Sequence, residues 1–556
     1  MILGIDVGGT HTDAVLVDNF LIKKKTKVRT DNSNITASLL DAARKMITGE
    51  NIKRIRRIVL STTISTNAIV QGKTDRVGMI MLNGPGLAPQ MLNTGKDSFF
   101  ISGYINHRGI PIQPLNKKEI KDVGAFFGEE MISQIGVVGK FSPRNPQHEL
   151  NVAAILDDRQ RNFSLGHRFS GQLNFPRRIA TTYINAAVHN IYQGFVQRVQ
   201  QFLQEIQMNV PVYILKADGG TILINQSSAY SVLTIHSGPA ASIMGVLATA
   251  DIKEDAVALD IGGTTTDISV FAEGVPLLEA SGVAIGGQKT LIRGLYTKSI
   301  GIGGDSAAWI KNGNLFVGPE REGPAAALGG AFPTPTDAMI VLGLAAIGDK
   351  QKAVDAIQRL GSQLNTDTVA TARMIMDKTI TVIADTVRRI LEEVNNKPVY
   401  TIHDFLEGKT IRPRILYVVG GPAAAIAPGV AALLGYPYKI PEHSEVANAL
   451  GAALARTTAE INVLADTEKG ELTISEEGLV KKIPRNFSLR GVIEAGREAL
   501  RDRALKMGAN LNELEMEVTE EQEFNMIREF HTTGKNIRVK IQIKPGLITN
   551  GVARNH

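Results

Sequence analysis

Two segments of the chain carry the same pattern of residues that can bind phosphate. Residues 4–13 read GIDVGGTHTD and residues 258–267 read ALDIGGTTTD, so six of the ten positions are identical. The two glycines allow positive φ and let a ligand approach the backbone, whose successive N–H groups can bind an anion. The threonine hydroxyls add donors. An aspartate before such a turn needs a cation between itself and a phosphate, and Mg²⁺ suits a site with few carboxylates.

We therefore predict two phosphate-binding turns that share a magnesium ion. The predicted metal ligands are Asp6 and Asp260. The predicted nucleotide contacts from the turns are Gly8, Gly9, Thr10, Thr12, Gly262, Gly263, Thr264 and Thr266. The alternative is a pair of ordinary hairpins in which aspartate and threonine are turn residues. A matched repeat favours the first interpretation, because repeated segments indicate duplicated architecture.

The elements that position these residues follow from the apolar pattern. Each repeat lies between an apolar run and an alternating run, which predicts a strand, a tight turn and a second strand. Three further glycine-rich turns follow predicted strands, and each is expected to lead into a helix: 218–220, 301–304 and 420–421. Together the five turns predict a nucleotide held between two lobes, with the last turn at the adenosine. The contacts predicted from the later turns are Gly303, Gly304, Gly420 and Gly421.

Two long helices and a charged terminal region complete the predicted organisation. Amphipathic periodicity predicts helices from Ile179 to Ile206 and from about Asp367 to Val394. After about Thr467 the chain becomes more charged, with one predicted helix from Leu489 to Lys506 and a strand from Ile537 to Ile543. This region is expected to form a small α+β appendage.

The composition excludes several kinds of site. The chain has 556 residues, of which 43% are hydrophobic, and a formal net charge of +6. It contains no cysteine, which excludes disulfides, thiolate nucleophiles and thiolate metal sites. The densest basic run, Lys23 to Lys25, is interpreted as a solvated strand edge, and no nucleic-acid partner is expected. No apolar run reaches the ~20 residues that span a bilayer, and no signal peptide precedes the first motif strand, so a cytoplasmic protein is expected.

This arrangement resembles the actin-like ATPase superfamily and, within it, the hydantoinase A/oxoprolinase family. The resemblance extends from Gly4 to about Arg456. The matching segments, in family order, are Gly4 to Asp13, Ser61 to Gly72, Asn145 to Glu149, Arg178 to Ala187, Asp218 to Gly220, Ser237 to Gly245, Leu259 to Val270, Ser299 to Ser306, Pro333 to Ala338 and Gly420 to Pro422.

The resemblance implies a fold and a division of the chain. The implied fold is α/β, a two-lobed actin-like ATPase with duplicated ribonuclease H-like domains and a small α+β C-terminal appendage. The implied regions are an N-terminal hydantoinase/oxoprolinase region at 1–177, a hydantoinase A-like region at 178–465 and the appendage at 466–556.

The resemblance also implies an activity, the ATP- and Mg²⁺-dependent opening of a cyclic amide or imide such as a hydantoin or 5-oxoproline. The γ-phosphoryl group is transferred to the ring carbonyl oxygen, and water then opens the activated ring. The protein supplies positioning and charge neutralisation. The candidate catalytic residues are Asp6, Asp218 and Asp260. A homo-oligomer or a second, hydantoinase B-like subunit is the expected assembly.

Several features depart from the family pattern. Asp305 stands where the glycine-rich loop usually carries a third glycine. His11 is more often phenylalanine, and we interpret it as a side chain packed beside the turn rather than a catalytic group. Val399 to Pro413 is interpreted as an insertion, and the region after about Arg456 differs from the usual, longer ending.

Three other activities compete with this assignment. A metal-dependent cyclic amidohydrolase needs clustered imidazoles, and the ten histidines are scattered, with no His-x-His pair. An ATP-dependent ketone carboxylase subunit shares the phosphate machinery, so the sequence leaves it open. An actin-like chaperone or reactivase also stays open, although only the last ~90 residues could serve as its partner-binding domain.

Overall fold

The computed structural model describes most of the chain. The described residues are 1–31, 34–92, 94–157, 160–279, 282–320, 322–396 and 410–548. The predicted insertion from Val399 to Pro413 lies, up to residue 409, outside the described residues. The chain divides into two compact units, each assembled from three separate segments.

Strands occur along the whole described chain. They are β1 Ile2–Val7, β2 His11–Asp18, β3 Leu21–Arg29, β4 Arg57–Thr62, β5 Val77–Leu82, β6 Ser98–Phe100, β7 Tyr104–Ile105, β8 Pro111–Gln113, β9 Gln134–Gly139, β10 Asn162–Leu165, β11 Val212–Leu215, β12 Thr221–Leu223, β13 Ala256–Ile261, β14 Thr266–Ala272, β15 Val275–Pro276, β16 Ala284–Ile285, β17 Gln288–Lys289, β18 Thr297–Ile300, β19 Ala308–Lys311, β20 Asn314–Val317, β21 Ile415–Val419, β22 Tyr438–Lys439, β23 Glu460–Asp466, β24 Glu471–Ile474, β25 Leu479–Lys482, β26 Met516–Arg528 and β27 His531–Ile543.

Helices alternate with these strands. They are α1 Ile35–Ile47, α2 Ile64–Val70, α3 Lys117–Glu129, α4 Gln147–Leu156, α5 Phe175–Ala187, α6 His189–Glu205, α7 Ile224–Ser227, α8 Ser237–Thr249, α9 Pro335–Val341, α10 Lys350–Leu364, α11 Thr368–Asn395, α12 Ala423–Leu434, α13 Ala447–Leu454 and α14 Leu489–Lys506. Within the described parts of the chain, no single helix is long and apolar enough to cross a membrane, and one bent pair of helices passes that test only when its members are taken together.

Unit 1 contains both copies of the phosphate pattern. It comprises Met1–Ile55, Gly238–Leu278 and Leu295–Leu454. The two copies form the turns of antiparallel hairpins, β1–β2 and β13–β14. β3 extends the first hairpin, and β21 runs parallel to β13 in the second sheet. The predicted hairpins are confirmed, and one compact unit positions both of them.

The core of unit 1 fixes the strand that leads into the second turn. Val257, Leu259 and Ile261 of β13 are fully buried with Ile383 of α11 and Val430 of α12. Alternate residues of a strand share one face, so this core holds one side of β13 and Asp260 lies on the opposite side. Burying each such side chain stabilises the fold by about 1.5–3 kcal/mol.

Unit 2 is built around a different set of sheets. It comprises Arg56–Ser237, Glu279–Gly294 and Ala455–His556. β4 lies parallel to β11, which turns back as β12. A second sheet has the order β10-β9-β5-β6 and is parallel throughout. A third, with the order β25-β24-β23-β27-β26, is antiparallel and packs against α14.

One of the two predicted long helices is wrong. The segment from Ile179 to Ile206 contains two helices, because Val188 has φ −103° and ψ 3° and separates α5 from α6. Val188 is itself fully buried, so the apolar periodicity continues across the break and conceals it. The other long helix is confirmed as α11, and the Asp367 side chain caps its first turn by accepting from Ala370 N–H.

Two of the three later glycine turns also differ from the prediction. The turn at 218–220 connects β11 to β12 rather than to a helix, and the loop at 301–304 lies between β18 and β19. Only the third, at 420–421, leads into a helix, which is α12. The glycines predicted the positions of the turns correctly. The prediction of a following helix was wrong at two of them because a tight turn can also lead into a strand.

The strands of the charged terminal region begin earlier along the chain than the sequence predicts. The central strand of its sheet is β23, Glu460–Asp466, and β27 begins at His531 rather than Ile537. The compact units interleave along the chain, so they do not follow the predicted regions 1–177, 178–465 and 466–556. Those boundaries stay a prediction about family regions.

Candidate functional site

The two repeats fold into hairpins with the same register. In each hairpin the aspartate before the turn pairs with an aspartate after it, and these cross-strand pairs are Asp6–Asp13 and Asp260–Asp267. The same backbone hydrogen bond closes each turn, at 3.0 Å from Gly8 N to His11 O and at 2.9 Å from Gly262 N to Thr265 O. The sequence repeat is therefore a structural repeat.

The predicted positive φ of the hairpin glycines is wrong. Gly8, Gly9, Gly262 and Gly263 all have φ outside the left-handed region. Of the glycines predicted to contact the nucleotide, Gly420 is the one in that region, with φ 99°. Glycine in the hairpins must therefore be explained by space around the backbone rather than by backbone conformation.

Packing explains the glycines of the loop at 301–304. A Cβ on Gly303 would lie 2.6 Å from the carbonyl oxygens of both Gly262 and Gly263. Gly304 N–H donates to Gly262 O over 2.9 Å, and a Cβ on Gly304 would lie 2.7 Å from Thr336 Oγ1. This loop is thus packed directly on the second turn, and its glycines are required by that close approach.

Neither packing nor conformation explains two other glycines. A Cβ on Gly9 or on Gly421 would have no atom within 4 Å, and both residues have ordinary φ values. Open space at a backbone turn fits the close approach of a ligand, since an N–H group reaches a phosphate best with no side chain beside it. The residues present therefore fit a phosphate at Gly9 and a nucleotide at Gly421.

Asp260 is held in place by two helices. Its Oδ2 accepts hydrogen bonds from Ser242 Oγ at 2.5 Å and from Asn448 Nδ2 at 3.0 Å. Ser242 lies on α8 and Asn448 on α13, and these helices touch so closely that a Cβ on Gly451 would lie 2.2 Å from Gly245 N. The glycine contact brings both donors to one carboxylate oxygen. The other oxygen, Oδ1, would be 2.9 Å from a Cβ on Gly420.

The threonines of the two turns have different roles. Thr12 and Thr266 are fully buried. Thr12 Oγ1 lies 3.0 Å from Thr30 Oγ1, and Thr266 Oγ1 donates to Ile302 O over 2.6 Å. Both hydroxyls therefore have contacts inside unit 1, and the nucleotide contacts of Thr12 and Thr266 stay a prediction. Thr10 and Thr264 are partly exposed at the turns themselves.

The hairpins concentrate negative charge in unit 1. Asp6 is only 5% exposed. Burial raises the pKa of Asp13 to about 6, with Lys27 opposing the shift and the charge of Asp260 adding to it. Burial and the charge of Asp260 raise the pKa of Asp267 to about 7. Neighbouring buried carboxylates repel one another when they are ionised. A cation bound beside them would offset that repulsion.

The donor set suits Mg²⁺ only together with a ligand. Among the described residues, no cluster of three or more histidine, aspartate and glutamate side chains is arranged to hold a metal by itself. Mg²⁺ typically takes one or two carboxylates and completes its shell with water and phosphate oxygens. Asp6 and Asp260 fit that requirement, and their role as metal ligands stays a prediction.

Asp218 lies in unit 2, in a different compact unit from Asp6 and Asp260. Its Oδ2 accepts from Lys216 Nζ at 3.3 Å, from Thr458 Oγ1 at 2.7 Å, and from Arg293 Nε at 3.1 Å and Nη2. Although burial opposes it, Lys216 and Arg293 hold the pKa of Asp218 well below its usual range. Such a carboxylate is a poor proton acceptor. The catalytic role of Asp218 stays a prediction.

Asp305 and His11, which depart from the family pattern, both lie at the turns. A Cβ on Gly263 would lie 2.8 Å from Asp305 Oδ2, and Asp305 N–H donates to Gly263 O over 2.6 Å. The carboxylate that replaces the third loop glycine therefore lies against the second turn. His11 is exposed rather than packed beside the turn as predicted.

Sequence reasoning missed several residues that shape the site. Asp13 and Asp267 are identical in the two repeats, and that identity was the available signal. Ser242 lies in one of the family-like segments, but its role depends on the contact with Asp260. Nothing in the sequence pattern around Asn448 indicated its hydrogen bond to a residue almost two hundred positions earlier.

Family models match two long stretches of the chain. The hydantoinase/oxoprolinase model matches residues 178–461, and the model of the hydantoinase/oxoprolinase N-terminal region matches residues 2–159. Together they cover well over half of the sequence. This chain belongs to the hydantoinase/oxoprolinase family. The predicted resemblance is confirmed.

Curated relatives are about a quarter identical to this family member over the aligned regions. It is 25% identical to caprolactamase subunit alpha of Pseudomonas jessenii, over 64% of this chain and 58% of that protein. It is 24% identical to 5-oxoprolinase 1 of Arabidopsis thaliana, over 61% of this chain and 31% of that protein. The matched regions thus span less than two thirds of either relative.

Two solved structures share the fold of nearly the entire chain. Acetone carboxylase in its nucleotide-free form aligns with a TM-score of 0.72 at 16% identity, over 99% of this chain and 88% of that one. The ATP-dependent caprolactamase from Pseudomonas jessenii aligns with a TM-score of 0.71 at 19% identity, over 100% of this chain and 89% of that one. The predicted fold class is confirmed.

The raised pKa of Asp267 predicts a pH-dependent gain in stability for Asp267→Asn in this family member. A carboxyl group whose pKa rises from 3.8 to about 7 on folding costs stability as the pH rises through that window. The neutral amide removes this cost. We expect the free energy of unfolding of Asp267→Asn, with EDTA present, to exceed that of the parent by about 1–3 kcal/mol at pH 8 and by much less at pH 4.5.

Chemical denaturation at the two pH values measures this difference. Asp41→Asn, which removes an exposed carboxylate of the same unit, is the control and should change stability equally at both. If Asp267→Asn changes stability equally at pH 4.5 and pH 8, the pKa of Asp267 is not raised in the folded protein.

Proposed function

We propose that this protein uses ATP and Mg²⁺ to open a small cyclic amide. The observation that carries the proposal is the duplicated hairpin. Two turns of identical register place Asp6 and Asp260 in one compact unit, beside backbone that is open at Gly9 and Gly421. Membership of the hydantoinase/oxoprolinase family supports the choice of substrate class. The names of caprolactamase and 5-oxoprolinase support an amide as the group that is attacked.

In the proposed reaction the ring carbonyl oxygen attacks the γ-phosphorus and ADP leaves. Water adds to the activated ring carbon and the ring C–N bond breaks, which leaves an acyl phosphate. A second water hydrolyses the acyl phosphate and releases inorganic phosphate. The sum converts ATP, two waters and the cyclic amide into ADP, phosphate and a ring-opened amino acid. The carbonyl oxygen is a weak nucleophile and the amide a weak electrophile, and phosphorylation overcomes the second limitation.

The residues of unit 1 supply positioning for this transfer. Backbone N–H groups at Gly9 and Gly263 and the hydroxyls of Thr10 and Thr264 would bind phosphate oxygens. Asp6 and Asp260 would hold Mg²⁺, which neutralises phosphate charge when bound. Ser242 and Asn448 orient Asp260 before any ligand arrives, and preorganised groups lose little free energy to reorganisation during the reaction.

An ATP-dependent ketone carboxylase subunit is the second candidate. The acetone carboxylase structure has the same fold, and the phosphate-binding parts of the site would serve either acceptor. The two activities differ in what receives the phosphoryl group, an amide or a ketone enolate and bicarbonate. The name of one relative as a subunit also leads us to propose that this chain works with a second, hydantoinase B-like subunit or as a homo-oligomer. The cytoplasmic location stays a prediction.

Gly9→Ala separates a ligand-binding role from a packing role. The added methyl group meets no protein atom and needs no unusual φ, so the melting temperature should stay within about 2 °C of the parent. The same methyl group would occupy the space of a phosphate, and we expect ATP–Mg²⁺ affinity to fall about tenfold or more, a loss of at least ~1.4 kcal/mol. Isothermal titration calorimetry measures the affinity.

Gly194→Ala is the matched control for this substitution. Gly194 lies within α6 in unit 2, and a Cβ there would meet only the end of the Arg198 side chain, at 3.8 Å. We expect unchanged ATP affinity and a small gain in stability from helix propensity. Native ATP affinity in Gly9→Ala would contradict the phosphate contact.

A substrate panel distinguishes the two candidate functions. We expect ADP release to rise with 5-oxoproline, a hydantoin or ε-caprolactam, with one ring-opened product formed for each ADP. The measurement is coupled ADP release together with mass spectrometry of the product, with and without a candidate second subunit. ADP release that responds only to a ketone plus bicarbonate would instead establish the carboxylase.

A further inference from the structure

The five-stranded antiparallel sheet of unit 2 leaves both of its edges uncovered. Among the described strands, β25 pairs only with β24, and β26 pairs only with β27. All four residues of β25 are exposed, as are residues 519–525 of β26. A strand edge presents N–H and C=O groups that can pair with a further strand. The sheet can therefore be extended at either end.

The two edges carry opposite charges. β25 contains Lys481 and Lys482 and no acidic residue. Residues 519–525 of β26 contain Glu520, Glu521 and Glu523 and no basic residue. Within the described chain, Glu520 and Glu521 make no hydrogen bond or ion pair. One edge is thus basic and the other is acidic.

The remaining three charges have an ion-pair partner on the protein surface. The pairs are Lys481–Glu498 at 3.8 Å, Lys482–Glu471 at 2.8 Å and Glu523–Lys535 at 2.5 Å. Each pair has at least one side chain that is 44% exposed or more. Exposed pairs of this kind contribute little to stability, so these side chains are available to a charged surface that approaches the edge.

The register places opposite charges on one face of the sheet. Lys481 aligns with Leu472, which aligns with Ala465, then with Ile537 and finally with Glu523. Alternate residues of a strand share a face, so Glu521 lies on this face as well. The sheet has five antiparallel strands, so β25 and β26 run in the same direction. A second copy displaced along the sheet would bring its Lys481 beside these two glutamates.

Exposed apolar side chains lie beside the charges at both edges. Leu479 and Val480 of β25 are 46% and 49% exposed, and Phe524 of β26 is 54% exposed. Lys482 aligns with Phe524 through the sheet in the same way. A lysine can cover an aromatic ring with its methylene stem and its ammonium group. Pairing of the two edges would therefore bury apolar surface as well as join opposite charges.

Neither edge is suited to pair with itself. Two copies of β26 that pair antiparallel about Gln522 would place Glu521 opposite Glu523, and like charges in that position are destabilising. Two copies of β25 would bring together the adjacent lysines of both strands. Pairing of β25 with β26 replaces this repulsion with attraction.

We propose that copies of this chain associate through this sheet, with β25 of one copy pairing with β26 of the next. Two different patches meet in such a contact, so copies add until a ring closes or a chain forms. A four-residue strand buries little surface, which makes the contact weak and reversible. The inference specifies a surface for a homo-oligomer and does not depend on the proposed reaction.

Sedimentation velocity of the full chain without nucleotide tests whether it associates. We expect the average mass to rise with protein concentration. It should fall when the salt concentration is raised from about 0.1 M to about 1 M, because salt screens exposed charges. A chain that stays monomeric at every concentration would overturn the proposal.

Charge reversal locates the contact. Lys481→Glu combined with Lys482→Glu makes both edges acidic. Glu521→Lys combined with Glu523→Lys makes both edges basic. We expect each double variant alone to associate about tenfold or more weakly than the parent, because attraction between the edges becomes repulsion. Association as tight as that of the parent in either double variant would overturn the proposal.

A mixture of the two double variants tests the pairing of unlike edges. The unchanged β25 of the basic variant can pair with the unchanged β26 of the acidic variant, so association should return in the mixture. A mixture that stays dissociated would contradict the pairing of β25 with β26.

Lys117→Glu combined with Lys118→Glu is the matched control. It makes the same change of charge on exposed residues of α3 in the same unit, and it should associate like the parent. Because all the substituted side chains are exposed or partly exposed, every variant should keep the melting temperature of the parent within about 2 °C. Equal weakening in this control would show that net charge, and not the strand edges, governs association.

Discussion

The hydrogen bonds from Ser242 and Asn448 to Asp260 are the interaction on which the candidate site depends. They join two helices to the end of β13, and they exist because α8 and α13 approach closely at Gly245 and Gly451. The buried face of β13 fixes the strand from one side, and these donors fix its carboxylate from the other. A carboxylate held in this way is preorganised, as the proposed role of Asp260 in holding a metal ion requires.

The two hairpins are equal in backbone but unequal in surroundings. The first turn is open at Gly9, whereas the second is covered by the loop at 301–304 and by Asp305. A ligand would therefore meet open backbone at the first turn and a packed surface at the second. The negative charge shared among Asp13, Asp260 and Asp267 gives a physical reason for a cation between the turns, because desolvated carboxylates repel one another.

The sequence predicted those features that depend on local pattern. The paired hairpins and the helix α11 follow from periodicity and turn residues over short windows. Features that depend on contacts between distant segments were not predictable: the donors to Asp260, the burial of Thr12 and Thr266, and the ion cluster around Asp218. The break at Val188 was concealed because both flanking helices bury apolar residues at the same spacing. The hairpin glycines were predicted at the right positions, but none of them has the positive φ that was expected, and among the predicted glycine contacts only Gly420 has it.

Calorimetric ATP binding with and without Mg²⁺, in Asp6→Asn, Asp260→Asn and Asp218→Asn, tests the central claim most directly. The claim is that the aspartates of the two hairpins, and not the ion cluster of unit 2, hold the metal with the nucleotide. Asparagine can still accept a hydrogen bond from Ser242, so the Asp260 variant removes charge with little change in shape. We expect the Mg²⁺-dependent gain in ATP affinity to be lost in Asp6→Asn and Asp260→Asn and retained in Asp218→Asn. A full Mg²⁺ effect in both hairpin variants would contradict the account.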